Sequence, residues 1–154
     1  MMPGFSKKVS LIKIFMLVLL SAGCFSLAMA SESDSGVLVA AQDSPVQKVD
    51  ILEIRRIYIG LESSAGSGIN QPVMNLSDPF LYKTFLKNVM HMTESGYRRK
   101  TVKRIFRQGG ERVKQIESHA ELIEYLKNNK NDVSFMDFKT AQQIREIKVI
   151  QILW

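Results

Sequence analysis

The sequence predicts an α/β domain, a small sheet covered by helices on both faces. Three observations predict it. Runs with strand character, Gln71-Pro-Val-Met-Asn-Leu76, Asp132-Val-Ser-Phe-Met136 and Ile147-Lys-Val-Ile-Gln-Ile-Leu153, alternate with stretches of helical periodicity. The last run is apolar on both faces except at Lys148 and Gln151, which predicts a central or helix-covered strand. The helical stretches open on capping signals: Asp50, Ser77 or Asp78 before Pro79, Ser118 with Glu121 three residues on, and Asp137.

The first 30 residues carry no part of that fold. Lys7, Lys8 and Lys13 precede the apolar run Ile14-Phe-Met-Leu-Val-Leu-Leu20, and Ala28-Met29-Ala30 gives a small-x-small ending before Ser31. This order predicts a signal peptide over residues 1–30, cleaved on export. Two readings compete. Ser21-Ala22-Gly23-Cys24 has the small-small-Cys end of a lipoprotein site, although Ser21 stands where a large aliphatic residue is preferred. An uncleaved anchor would use Ile14 to Ala30, 17 residues interrupted by Ser21, Gly23 and Ser26, against the roughly 20 a span needs. Residues 31–48, rich in Ser, Asp, Gln and Ala, read as a linker or disordered mature N-terminus, in which Val37 to Ala41 can pair as a short strand. Residues 49–154 are the folded domain.

Within that domain Asp50 caps a helix. Ile51, Leu52, Ile54, Ile57 and Tyr58 form its apolar face, Glu53, Arg55 and Arg56 lie opposite, and Gly60 ends it. Glu62 to Gly68 is a glycine-rich loop. It lacks the Gly-Lys-Ser/Thr ending of a phosphate loop and follows no clear strand. The strand from Gln71 has Pro72 at an early position, where a missing N–H is tolerated. After Ser77-Asp78-Pro79 a helix buries Phe80, Leu81, Thr84, Phe85, Asn88 and Val89. Met90 to Gly96 is a connection. From Tyr97 a basic helix runs to Gln108, with Tyr97, Thr101, Arg104 and Ile105 along one stripe, and Gly109-Gly110 stops it. Ser118 opens a further helix carrying Leu122, Ile123, Tyr125 and Leu126. Asp137 caps a short one with Ala141 and Ile144 inward.

Charge narrows the function. The chain carries +6, but without the three lysines of the leader 18 basic residues face 15 acidic ones, a net +3. Basicity is local: eight of the residues from Ser95 to Gln115 are Lys or Arg, with Arg98, Arg99, Lys103 and Arg107 on the helix surface. A solvated helix face accounts for such a run. As binding surfaces, the alternatives are an anionic membrane or polysaccharide, an acidic partner protein, or nucleic acid, which the export signal disfavours. Cys24 is the single cysteine, so the mature chain has no disulfide and no thiolate chemistry. His91 and His119 share no ligand spacing and the carboxylates are scattered. No catalytic constellation, metal site or cofactor is expected, and the protein reads as a non-catalytic binding protein without a membrane span after leader cleavage.

Four stretches in this order carry a family resemblance. Ile54-Arg-Arg-Ile-Tyr-Ile-Gly60 is similar to a helix ending in an aliphatic-aromatic-x-Gly turn, and Gln71-Pro-Val-Met-Asn-Leu-Ser77 to the strand that follows it. Arg104-Ile-Phe-Arg-Gln-Gly109 is similar to an aromatic-x-Gly turn, and Asn131-Asp-Val-Ser-Phe-Met136 to a Gly-x-Ile-Gly-Tyr-Val strand. Together, over Val49 to Trp154, the chain resembles a short, one-lobe-like member of the phosphate ABC-transporter substrate-binding family, which has the type 2 periplasmic binding-protein fold. The resemblance implies a periplasmic location, an ABC transport system and a small oxyanion, phosphate first, as ligand. The family's phosphate loop Asp-Gly-Ser-Gly-Thr is replaced here by Asn75-Leu-Ser-Asp-Pro79. The expected ligand-binding residues are therefore Asn75, Ser77 and Asp78, at a helix N-terminus where free N–H groups attract anions. Ser77 would donate to the anion. Asp78 would repel a full anion but accept from a protonated one. The other reading is an accessory or structural envelope protein that binds a protein partner and has lost ligand binding.

Overall fold

The central strand of the protein comes from the stretch expected to be a linker. In the computed structural model, which describes residues 35–64 and 66–154, β1 (Gly36–Ala41) is buried along its whole length. It lies between β4 (Ser134–Asp137) and β5 (Ile147–Ile152), antiparallel to both. The expected leader and Cys24 lie outside the described residues. The linker expectation for 31–48 is thus corrected at Gly36-Val-Leu-Val-Ala-Ala41. A six-residue run without polar alternation gives no periodic signal, yet it suits a strand buried on both faces. The expectation for the last strand is corrected too. β5 is an edge strand, partly exposed along most of its length, with Ile152 64% exposed. Its apolar face packs but its outer edge is free.

Register explains how β1 is covered on both sides. Val37 stands opposite Met136 and Ile152, and Val39 opposite Ser134 and Val149. Successive side chains point to opposite faces. Leu38 and Ala40 join one core with Ile54, Tyr58, Phe85 and Phe135, while Val37 and Val39 join another with Ile116, Leu122, Leu126 and Ala141. Helices α1 (Ile51–Tyr58), α2 (Pro79–Asn88) and α3 (Glu94–Gln108) supply the first layer. Helices α4 (His119–Asn128) and α5 (Phe138–Gln143) supply the second. The expected α/β architecture with helices on both faces is present, built on two small sheets.

The second sheet pairs β2 (Val73–Asn75) in parallel with β3 (Lys114–Ile116). Sequence periodicity gives no sign of β3, which is three residues long with only Ile116 buried. A parallel bridge between Pro72 and Val133 joins the two sheets. The Val73 N–H donates to the Val133 carbonyl at 2.7 Å and the Val133 N–H to the Gln71 carbonyl at 3.0 Å. Side chains carry the ladder further. Asn75 Nδ2 donates to the Phe135 carbonyl and Ser134 Oγ to the Val73 carbonyl, both at 3.0 Å.

The caps fall where the sequence puts them. The side chains of Asp50, Asp78, Ser118 and Asp137 each accept from a backbone N–H in the first turn that follows. The basic helix starts earlier than expected: Thr93 accepts from the Gly96 N–H, so α3 begins at Glu94 inside the presumed connection. At the centre Phe85 and Phe135 stack with ring centroids 4.0 Å apart, and Tyr58 tilts against Phe85 at 4.7 Å. Two helix faces are rotated from expectation. Leu52 and Phe80 are exposed, whereas Glu53 is buried. Glu53 is satisfied there: Oε2 accepts from Ser64 Oγ at 2.9 Å and from Arg56 at 3.3 Å, and Oε1 accepts from the Ser64 N–H. This carboxylate fastens the glycine-rich loop to α1.

Candidate functional site

The three residues expected to receive an oxyanion do come together, at the carboxyl end of β2. Their hydrogen-bonding capacity is directed inward. Asn75 is 1% exposed. Its Oδ1 accepts from the Ser77 N–H at 3.0 Å and from the Ser77 hydroxyl at 2.6 Å, while its Nδ2 holds the Phe135 carbonyl. The Ser77 proton therefore has a partner already. Asp78 Oδ1 accepts from the N–H groups of Phe80 and Leu81 at 2.8 and 3.1 Å. A carboxylate of the chain thus occupies the positive end of α2, where an external anion was expected.

Next to this end opens a cleft of about 430 Å³. Leu76 and Tyr82 form one wall, α3 presents Glu94, Tyr97, Arg98 and Thr101, and the approach to β3 supplies Arg112 and Gln115. Arg98 pairs loosely with Glu94 at 3.7 Å, and both side chains stay at least half exposed. Arg112 makes no salt bridge among the described residues. The cleft therefore offers two guanidinium groups against one carboxylate, a local excess of positive charge suited to bidentate contact with an oxyanion.

The inner wall has one unsatisfied group. Thr101 is 7% exposed, and its hydroxyl has no hydrogen-bond partner. Buried polar atoms are nearly always paired, and this oxygen is sealed from solvent as well as unpaired among the described residues. Its neighbour Tyr97 donates to the Tyr58 carbonyl at 2.6 Å. Burial pushes the Tyr97 phenol well above its usual range. The nearby Thr101 hydroxyl tempers that rise without reaching hydrogen-bond geometry. Tyr82 is raised by partial burial and by the Glu94 charge, with Arg98 acting in the opposite direction. Both phenols stay protonated near neutral pH, and Tyr82 is available as a neutral donor at the cleft.

Of the four expected basic surface residues, Arg98 faces the cleft, and Arg99, Lys103 and Arg107 are exposed on α3 without a salt bridge among the described residues. Thr101 and Arg112 carry no role in the sequence reading. The available signal for Thr101 was a hydroxyl on an otherwise packed stripe of the helix. His91 lies at the surface, with Nε2 2.6 Å from an Arg55 nitrogen and Nδ1 3.2 Å from the Lys87 carbonyl, and His119 is the first residue of α4. Among the described residues no group of His, Cys, Asp or Glu side chains is placed to hold a metal ion. No helix among them is long and apolar enough to cross a membrane.

No protein-family model matches the chain, and no curated protein matches it. Among solved structures it is similar to the crystal structure of an ABC-type phosphate transport receptor from Vibrio cholerae, with 14% sequence identity and a TM-score of 0.49. The match covers 77% of this chain and 47% of the receptor, so the chain spans about half the receptor's length.

Proposed function

We propose that the protein is an exported, non-catalytic solute-binding protein that takes a small oxyanion, phosphate or sulfate, in the cleft between α3 and the β2–β3 pair. The reading rests on one observation: two guanidinium groups, those of Arg98 and Arg112, line one cleft with a single carboxylate, Glu94. The guanidinium groups would neutralise the anion, Tyr82 would donate to one of its oxygens, and Asn75 and Ser77 would hold the adjoining chain end in shape. Asp78 keeps its place as the cap of α2. The leader predicted over residues 1–30 places this site outside the cytoplasmic membrane, in the periplasm, where it would serve an ABC transport system as the sequence resemblance implies.

The test is thermal unfolding of the full chain with and without millimolar phosphate or sulfate at constant ionic strength. A ligand at about 100 times its dissociation constant adds about 2.7 kcal/mol, a rise of several degrees for a domain of this size. Replacing Arg112, which is exposed and has no structural partner, by Met should remove most of that rise and leave the anion-free melting temperature unchanged. Absence of a rise with either oxyanion, or an undiminished rise in Arg112→Met, overturns the reading and favours the envelope protein that binds a protein partner.

A further inference from the structure

Helix α3 faces two different surroundings. Tyr97 and Thr101 turn toward the core and the cleft. At about 3.6 residues per turn, Arg99, Lys103 and Phe106 share the opposite face, with Val102 between them and the cleft it lines. Phe106 is 86% exposed, more than Leu52, Phe80 or Ile152, the other large exposed hydrophobic side chains, and it joins neither core cluster. Arg99, Lys103 and Arg107 surround it, exposed and without salt bridges among the described residues. Among the described residues this large apolar ring, with unpaired cations around it, has no packing partner in either core cluster.

We propose that this face docks on an anionic membrane surface, with Phe106 entering the headgroup boundary and Arg99, Lys103 and Arg107 lying against anionic headgroups. Charge complementarity and the exposed ring together select this occupant. Anionic lipid supplies both a negative surface for the cations and an apolar phase for the ring. Duplex nucleic acid supplies only the charge. A single strand would need a series of stacking rings, and Tyr97, the other aromatic of α3, is buried with its hydroxyl on the Tyr58 carbonyl. Arg99, Lys103, Phe106 and Arg107 line no part of the oxyanion cleft, so the surface is separate from it. Its consequence is local: the protein would rest on the membrane with the cleft turned away from the lipid.

The experiment uses the full chain carrying Phe106→Trp, with the parent, whose one tryptophan is Trp154, as the baseline. Vesicles of phosphatidylcholine alone are compared with vesicles that also contain phosphatidylglycerol. The expected result is a blue-shifted emission from the new indole with the anionic vesicles only, reversed by salt. Adding Arg99→Glu and Lys103→Glu should weaken the apparent affinity by about thirtyfold or more, at about fivefold per basic residue lost. Residues 1–30 are common to all variants, so any lipid contact of theirs cancels in the comparison, and the emission reports position 106 alone. An unshifted emission with anionic vesicles, equal shifts with neutral ones, or undiminished binding after charge reversal overturns the proposal. So does binding to duplex DNA or an acidic polypeptide without binding to vesicles.

Discussion

Replacing Thr101 by Val should make the protein more stable. Thr101 is 7% exposed and its hydroxyl has no partner, so the folded state bears the cost of removing that group from water. A buried unsatisfied polar group costs about 1–3 kcal/mol. Valine has nearly the same shape and a comparable helix propensity, so the backbone and the Tyr97 hydroxyl should be undisturbed. The added methyl gains up to about 0.8 kcal/mol of burial. Allowing for the interaction with the nearby Tyr97 phenol, the gain is about 1–2 kcal/mol, a rise of roughly 4–8 °C in melting temperature. The assay is thermal unfolding of the full chain followed by circular dichroism, in the presence and absence of phosphate. The melting temperature should rise whether or not phosphate is present. A lower melting temperature would refute the reasoning, because it would mean that the hydroxyl is hydrogen-bonded within the fold.

Two further predictions test the frame around the site. A Cβ added at Gly36 would lie 2.1 Å from the ring of Trp154, so Gly36→Ala should cost about 1–3 kcal/mol and move the indole; a lower midpoint in urea together with altered tryptophan emission checks it, and unchanged emission would count against this contact. The phenols give an alkaline dependence: burial and the hydrogen bond to Asp132 push Tyr125 from 10.0 up to about 12, and Tyr58 and Tyr97 are raised as well. A phenol raised by folding contributes stability that is complete below its unfolded value and lost as pH climbs through the folded one, so stability should fall between about pH 10 and 12, and Tyr125→Phe should fall less steeply over that window in urea titrations.

Locally encoded features were legible in the sequence, and features set by distant partners were not. Asp50, Asp78, Ser118 and Asp137 act within their own first turns, so residue type and position suffice to find them. β1 escaped because its evidence is non-local: Gly36 pairs with Asp137 and Ala41 with Ile147, and burial on both faces erases alternation. The same burial left β5 at the edge, although its composition suggested the centre. Glu53 was assigned to a solvent face because α1 alone cannot show that Ser64 will fold over it. Sequence placed Asn75, Ser77 and Asp78 where β2 ends and α2 begins, as the structure does. It could not show that Asn75 would absorb the Ser77 proton or that Thr101 would lack a partner, since both facts depend on how β2, β4 and α3 meet.

The double glycine after α3 explains how one basic stretch makes two surfaces. Gly109 and Gly110 adopt φ values of 73° and 87°, which side chains with a Cβ rarely take. Arg104 fixes the turn they make, donating to the carbonyls of Gly109 at 3.1 Å and Glu111 at 2.6 Å. Its guanidinium is wedged so closely that a Cβ on Gly60 would lie 2.6 Å from it, and one on Gly110 3.1 Å. The turn sends the chain back along α3 into β3, bringing Arg112 across the cleft from Arg98 and Thr101. Arg99, Lys103 and Arg107 precede the turn and remain outside. The eight basic residues are therefore not one continuous patch: Arg104 is structural, Arg98 and Arg112 look into the cleft, Lys114 in β3 sits 4.2 Å over the Tyr125 ring, and the exposed remainder of α3 faces solvent. With the end of α2 already filled by Asp78, an oxyanion in this cleft would meet these two guanidiniums, and binding through them should follow Arg98 and Arg112 in place of Ser77.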